Sequence, residues 1–340
     1  MGFLRPFLYA LAIVALAACG GGSGGGALPP AVSDPGALDP NGSSVAFEKA
    51  TLWVGYNGPL INAFSTEGNG AVTPEKTLGY FPWPNVVGSI PGIVDIAVAP
   101  DGTQWVLEKR DFAQGGRGWR LFAVAPGAST TEYVNGDDVN SPFAVGLAGD
   151  GVMVGYFDSN GTPVIATYPY STSNAPAMRT FRSTSPVRGF AEGNDGHLYI
   201  ARADGFDVYD PTSTGCCPMR SFNTGALSGL GIGAQRFAVG PDNSIYTTDL
   251  PGNNANPVMY VNVYGPGSAT LTRRIGPLPA DYTGFGFPVI TVDSKNRLYV
   301  ATKGQFYRFG PNANGTTAPQ RLMTDPTLGR PVAMAVGPKL

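Results

Sequence analysis

Histidine is nearly missing from this chain of 340 residues, which has one, His197. That excludes three-histidine metal sites and leaves little room for a Ser-His-Asp triad. Cysteine is almost as scarce, with Cys19, Cys216 and Cys217 alone. No C-x-x-C pair and no histidine cluster supports zinc. Charge is sparse as well: 22 Lys and Arg face 24 Asp and Glu, for a net charge of −2. No basic stripe forms, so a nucleic-acid partner is not expected. A P-loop, a Rossmann glycine pattern after a strand and a D-x-D-x-D-G calcium loop are all absent. The sequence therefore assigns no catalytic residue, no metal ligand and no cofactor.

What the chain has in quantity is glycine (48) and proline (31). Unpatterned, that share nears the disordered range. Here these residues punctuate apolar runs. A hydrophobic pair followed by a branched residue recurs, with variations, as Leu52-Trp53-Val54, Gln104-Trp105-Val106, Val152-Met153-Val154, Leu198-Tyr199-Ile200, Ile245-Tyr246-Thr247 and Leu298-Tyr299-Val300. The central residues of successive copies lie 46 to 53 positions apart. Five of the six follow a run like Ile96-Ala97-Val98 across a polar turn such as Pro100-Asp101-Gly102, Asn194-Asp195-Gly196 or Pro241-Asp242-Asn243. Asp-Gly and Asn at such turns are hairpin chemistry, because tight hairpins need residues that accept positive φ. A third run follows, as at Leu60–Phe64, Val164–Tyr168 and Phe306–Phe309, and a fourth, more polar run at Gln320–Met323.

Four short strands per period of roughly 40–50 residues read as a propeller blade. The copy at Leu52 lacks its preceding run, and the last run, Val332–Val336, lacks everything after it. Joined, the two half-units complete a sixth blade. The reading is an all-β fold: a six-bladed β-propeller of four-stranded antiparallel blades over residues 50–340. The C-terminal strand closes the ring by joining the N-terminal blade, which leaves no open edge around the circle. An open sandwich or a β-helix would leave the complementary ends unexplained.

Residues 1–18 read as a targeting segment, with Arg5 before the apolar stretch Leu8–Leu16. That stretch is short for a transmembrane helix. It ends Leu16-Ala17-Ala18-Cys19, which resembles the lipobox of bacterial lipoproteins. The resemblance implies a lipid on Cys19, cleavage before it, and membrane attachment through that anchor. Gly20 in place of Asp implies a cell-envelope lipoprotein of the outer membrane. An ordinary secretory signal with an uninvolved Cys19 is the alternative. Residues 19–49 then form a Gly/Pro tether. Its Gly21-Gly22-Ser23-Gly24-Gly25 matches G-x-S-x-G without the strand-turn-helix setting that motif needs.

On the expected inner strands most positions are small or apolar. Asp95, Arg188, Glu192 and Arg236 stand out as candidate channel residues. Glu192 sits where its counterparts are Val98, Leu147, Val239, Val292 and Val336. A buried carboxylate needs a partner. Glu192 therefore pairs with a neighbouring Arg, is exposed by a kinked strand, or contacts a ligand. Trp83, Tyr282, Phe285 and Phe287 lie on loops entering inner strands, where they either rim the channel mouth for a ligand or cap the core between blades. Cys216 and Cys217 are adjacent and form a candidate vicinal disulfide in an oxidising compartment. His197 follows a tight turn and reads as a solvated turn residue.

The unit LYVATKGQFYRFGPNANGTTAPQRLM, followed by GRPVAMAV, resembles the NHL-type repeat of exported bacterial propellers. The likeness spans residues 50–340 and is clearest in blades five and six. It implies fold rather than activity. Two function classes follow. One is a monomeric, non-catalytic binding or scaffold module, with an envelope protein or a glycan as partner. The other is a metal-assisted hydrolase or lyase similar to gluconolactonases and streptogramin lyases. Those groups imply a central divalent ion held by Glu, Asp and Asn, or a His and Glu pair in the channel. Asp95 and Glu192, accompanied by Arg188 and Arg236, reproduce neither set.

The lipobox reading makes a direct prediction. Cys19→Ala is expected to release the protein from the membrane fraction. A variant that still sediments quantitatively with membranes contradicts lipid anchoring.

Overall fold

A computed structural model describes residues 50–338, apart from 57, 59, 80–89, 112–116, 128–130, 137–140, 172, 203, 216, 224–236, 250–257, 280–287, 303, 326–328 and 330. Every regular element in the described residues is a strand. Blade one contains β1 (Ala50–Tyr56), β2 (Ile61–Ser65) and β4 (Lys76–Leu78), with the short β3 (Gly70–Ala71) between the last two. Blade two is β5 (Ile90–Val98), β6 (Gln104–Asp111), β7 (Arg117–Val124) and β8 (Thr131–Asn135). Blade three is β9 (Ser141–Ala148), β10 (Gly151–Phe157), β11 (Pro163–Pro169) and β12 (Arg179–Arg182). Blade four is β13 (Gly189–Glu192), β14 (Leu198–Ala201), β15 (Gly205–Tyr209) and β16 (Arg220–Asn223). Blade five is β17 (Phe237–Val239), β18 (Ile245–Asp249), β19 (Val258–Tyr264) and β20 (Leu271–Pro279). Blade six is β21 (Val289–Val292), β22 (Leu298–Thr302), β23 (Gln305–Phe309) and β24 (Arg321–Thr324), and β25 (Pro331–Pro338) ends the described chain.

The turn chemistry explains the meander. Gly102 (φ 87°), Gly196 (φ 72°), Asn243 (φ 59°) and Asn296 (φ 56°) occupy the left-handed region between first and second strands. Adjacent aspartates brace these turns. Asp101 Oδ1 accepts from the Thr103 amide at 2.8 Å, and Asp242 Oδ1 from the Ser244 amide at 3.0 Å. A β-branched or bulky residue at the positive-φ position would be strained.

Sheet order confirms the ring. β25 lies beside β1 to give the order β25-β1-β2-β4, with an antiparallel register from Ala50 opposite Pro338 to Tyr56 opposite Pro331. The first strand of blade one is thus supplied by the far end of the chain. Every residue of β1 is buried. The core is distributed rather than central. Trp53, Ile96 and Phe122 pack between blades one and two, and Trp105, Leu121, Val152 and Val154 between two and three. Phe206 and Phe237 pack between blades four and five, and Leu52, Tyr299 and Phe306 between six and one.

A second closure is absent from the sequence reading. β3 leaves blade one and adds to blade six as a fifth strand, parallel to β24, with Met323 opposite Gly70 and Thr324 opposite Ala71. Polar bonds fasten it. Leu322 N donates to Asn69 Oδ1 at 3.1 Å, and the buried Arg308 donates to Thr66 O at 2.8 Å and Glu67 Oε1 at 2.7 Å.

Close approach at the seam also restricts residue choice. A Cβ on Gly337 of β25 would meet Val98 Cγ1 of β5 at 2.3 Å. Deleting Pro331–Leu340 removes the inner strand of blade one and bares β1. The truncated chain is expected to lose its cooperative thermal transition. An unchanged melting temperature contradicts the closure.

Candidate functional site

The inner strands β25, β5, β9, β13, β17 and β21 surround a central cavity of about 280 Å³. All six contribute to its wall, which is aliphatic or small at most positions, such as Val98, Gly146, Ala191, Val239 and Ala335. An inner strand pairs on one side only, so its other edge offers unpaired amides and carbonyls to the channel. The two charged side chains in the described wall are Asp95 and Glu192. Both answer that edge.

Asp95 sits at a register shift in β5, where the bulge re-aims its side chain. It is 2 % exposed. One oxygen accepts from its neighbour Ile96 N at 2.8 Å, and the other from Val145 N in β9 at 2.9 Å. The carboxylate therefore ties blade two to blade three. Burial pushes its pKa well above the ordinary range, and the two amides pull it back in part.

Glu192 ends β13 and accepts from Gly149 N, in the first turn of blade three, at 3.0 Å. Among the described residues the bond shown for Glu192 is to this amide rather than to an arginine, and Arg236 lies outside them. Arg179, whose charge acts on it, is in an ion pair with Asp150 at 2.5 Å. Burial, opposed by the Gly149 amide and Arg179, pushes the Glu192 carboxyl up to about 7. Three residues of strand rise separate the Asp95 and Glu192 levels, roughly 10 Å along the channel.

Arg188 precedes β13, is half-buried, and is not part of the cavity wall. Its amide donates to Ala201 O at 2.8 Å. Arg236, Trp83, Tyr282, Phe285 and Phe287 lie outside the described residues, as do Cys19 and Cys216. Cys217 is exposed. His197 is half-buried rather than fully solvated, and its Nδ1 lies 2.9 Å from Asp195 Oδ2. Among the described residues no group of three His, Cys, Asp or Glu side chains converges as a metal site would require. Sequence reasoning missed Phe190 and Phe237 in the wall. Their signal is the bulky residue two positions before Glu192 and Val239 on each inner strand.

These features define the class: the chain is a six-bladed β-propeller with a narrow, largely apolar channel. No known family's sequence pattern matches it, and no curated protein does. Among solved structures it is similar to a protein of unknown function from Bacteroides caccae, at 10 % identity and TM-score 0.56, covering 85 % of this chain and 99 % of that one. It is also similar to apo AztD from Citrobacter koseri, at 10 % identity and TM-score 0.49, covering 86 % and 100 %. The Pan2 WD40 domain of Neurospora crassa follows at 9 % identity and TM-score 0.40, covering 71 % and 81 %. Such identities speak to the fold alone.

The Glu192 environment yields a pH prediction. A carboxyl whose folded pKa exceeds its ordinary value of 4.5 holds its proton more tightly in the folded state. The stability it contributes is full below that value and lost as pH rises through about 7. Glu192→Gln keeps an acceptor for Gly149 and removes the titration. It is expected to flatten the decline and to gain on the order of 1–3 kcal/mol at pH 8, reduced by partial solvent screening. Denaturant titrations across pH read this out. Parallel profiles for the two proteins contradict the assignment.

Proposed function

We propose that this propeller is a membrane-anchored, extracytoplasmic binding or scaffold module built on NHL-type repeats. The observation that carries the reading is the state of the channel carboxylates. Asp95 gives both oxygens to main-chain amides and Glu192 gives one, and each carboxylate reaches one amide across a blade boundary. They work as blade ties at different levels rather than as a convergent acid pair. General acid–base or metal-assisted chemistry needs groups aimed at one reacting centre. A doubly closed ring instead offers a stiff platform with two loop-bearing faces, which suits recognition.

The anchor rests on the Leu16-Ala17-Ala18-Cys19 pattern and the Gly/Pro tether after it. These support attachment through lipid on Cys19, with the propeller held off the outer membrane as a monomer. The partner is an envelope protein or a glycan.

A melting curve of the full chain in calcium, in EDTA and untreated tests the reading. A ligand that binds only the folded state raises stability by mass action. The binding-module reading predicts three superimposable curves. A calcium-dependent rise reversed by EDTA contradicts it and favours the hydrolase or lyase class.

A further inference from the structure

A second cavity, of about 150 Å³, opens between blades two and three on the face that carries the first turns. Three aromatic rings wall it: Trp105 and Tyr133 of blade two, and Tyr170 just past β11. Trp105 and Tyr133 meet edge to face, with centroids 4.7 Å apart at 90°. Tyr170 lies 5.8 Å from Trp105 at 45°. Rings set at such different angles make a corner rather than a stack. Packing and main-chain bonds hold the corner in place. The Tyr133 hydroxyl donates to Pro169 O, and the Tyr170 hydroxyl to Ala148 O at 2.8 Å. With those hydroxyls engaged, the charged group left in the wall is Asp101.

Asp101 differs from its counterpart in blade four. In blade four, Tyr199 donates its hydroxyl to Asp195, four residues earlier, at 2.9 Å. Blade two has Trp105 four residues after Asp101. An indole has no hydroxyl to reach the carboxylate, and its buried Nε1–H has no acceptor among the described residues. Among the described residues Asp101 accepts from Thr103 on its own turn, at 2.8 and 3.0 Å, and it stays exposed. The field here is negative. Beyond the effect of burial, Glu192, Asp150 and Asp101 all help hold the Tyr170 hydroxyl above its ordinary range. Asp150 is in an ion pair with Arg179.

We propose that this aromatic corner binds a quaternary or fully alkylated ammonium group. Ring quadrupoles attract cations, most strongly where water is displaced. An alkyl-coated cation also matches the apolar walls, whereas a bare ammonium ion would keep its hydration shell. A cavity of about 150 Å³ holds one benzene-sized group, which suits a trimethylammonium head. Asp101 supplies the counter-charge at the rim. This site gives the binding-module reading a ligand class and rests on it. The ammonium could belong to a free solute or to a lipid headgroup, and the two sources share this chemistry.

Calorimetric titration of the full chain in maltoside micelles tests the proposal. The probes are choline chloride, its neutral isostere 3,3-dimethyl-1-butanol, and phosphatidylcholine against phosphatidylglycerol in the same micelles. Choline or phosphatidylcholine is expected to bind, with the neutral isostere about tenfold weaker. Preference for choline identifies a solute, and preference for phosphatidylcholine a headgroup. Asp101→Asn retains the turn acceptor for Thr103 and should weaken binding about tenfold at an unchanged melting temperature. Tyr170→Leu should erase the preference for charge. Equal binding of choline and the isostere, or no binding by choline and phosphatidylcholine alike, overturns the proposal. Such a failure leaves the calcium-independent melting behaviour untouched, so loss of this site is distinguishable from loss of the binding-module reading.

Discussion

Sheets arranged in a ring succeed only if the last blade meets the first, because an open end exposes apolar faces and unpaired strand edges. In this chain that meeting is a matter of hydrogen-bond register. β25 runs antiparallel along the whole of β1, from Ala50 opposite Pro338 to Tyr56 opposite Pro331. The apolar residues it delivers, Ala333, Met334 and Ala335, join the clusters on both sides of blade one. Each blade's faces are buried only by its neighbours, so every interface depends on this one being made. The parallel β3–β24 pairing and the Arg308–Glu67 contact brace the same seam from the outside.

Ring geometry also decides what the channel can do. Six inner strands bring backbone edges toward one axis, and polar side chains there are drawn into satisfying those edges. Asp95 and Glu192 show this directly, since both accept from main-chain amides, and Val145 and Gly149 each belong to an adjacent blade. Distinctive chemistry is then displaced to places where the repeat departs from itself. Blade two is such a place. Trp105 replaces the tyrosine of blades four, five and six, and an aromatic cavity with a spare carboxylate stands beside it.

Much of the fold was legible because its signals are local. Asp-Gly and Asn turns, paired apolar runs and two complementary half-units are written in residue types, and the strands fall where those types place them. β3 was not legible: two residues, Gly70 and Ala71, carry no periodicity, and their partner in β24 is distant in sequence. Glu192 was visible as an anomaly among valines and a leucine. Its partner was not, because the Gly149 amide is a backbone group and leaves no mark on composition. The corner at Trp105 was hidden for another reason. An aromatic residue was read as one more copy of the repeat, and only packing against Tyr170 of the next blade shows what the change from tyrosine opens.

Amide hydrogen exchange across the seam tests the account most directly. If closure carries the ring, amides in Ala50–Tyr56 and Pro331–Pro338 exchange only through global unfolding, at the same rate as those in Leu298–Thr302. Exchange of Pro331–Pro338 that is orders of magnitude faster than in Leu298–Thr302, with the other five blades still protected, would contradict it. The C-terminal strand would then be an ornament on a ring that stands without it.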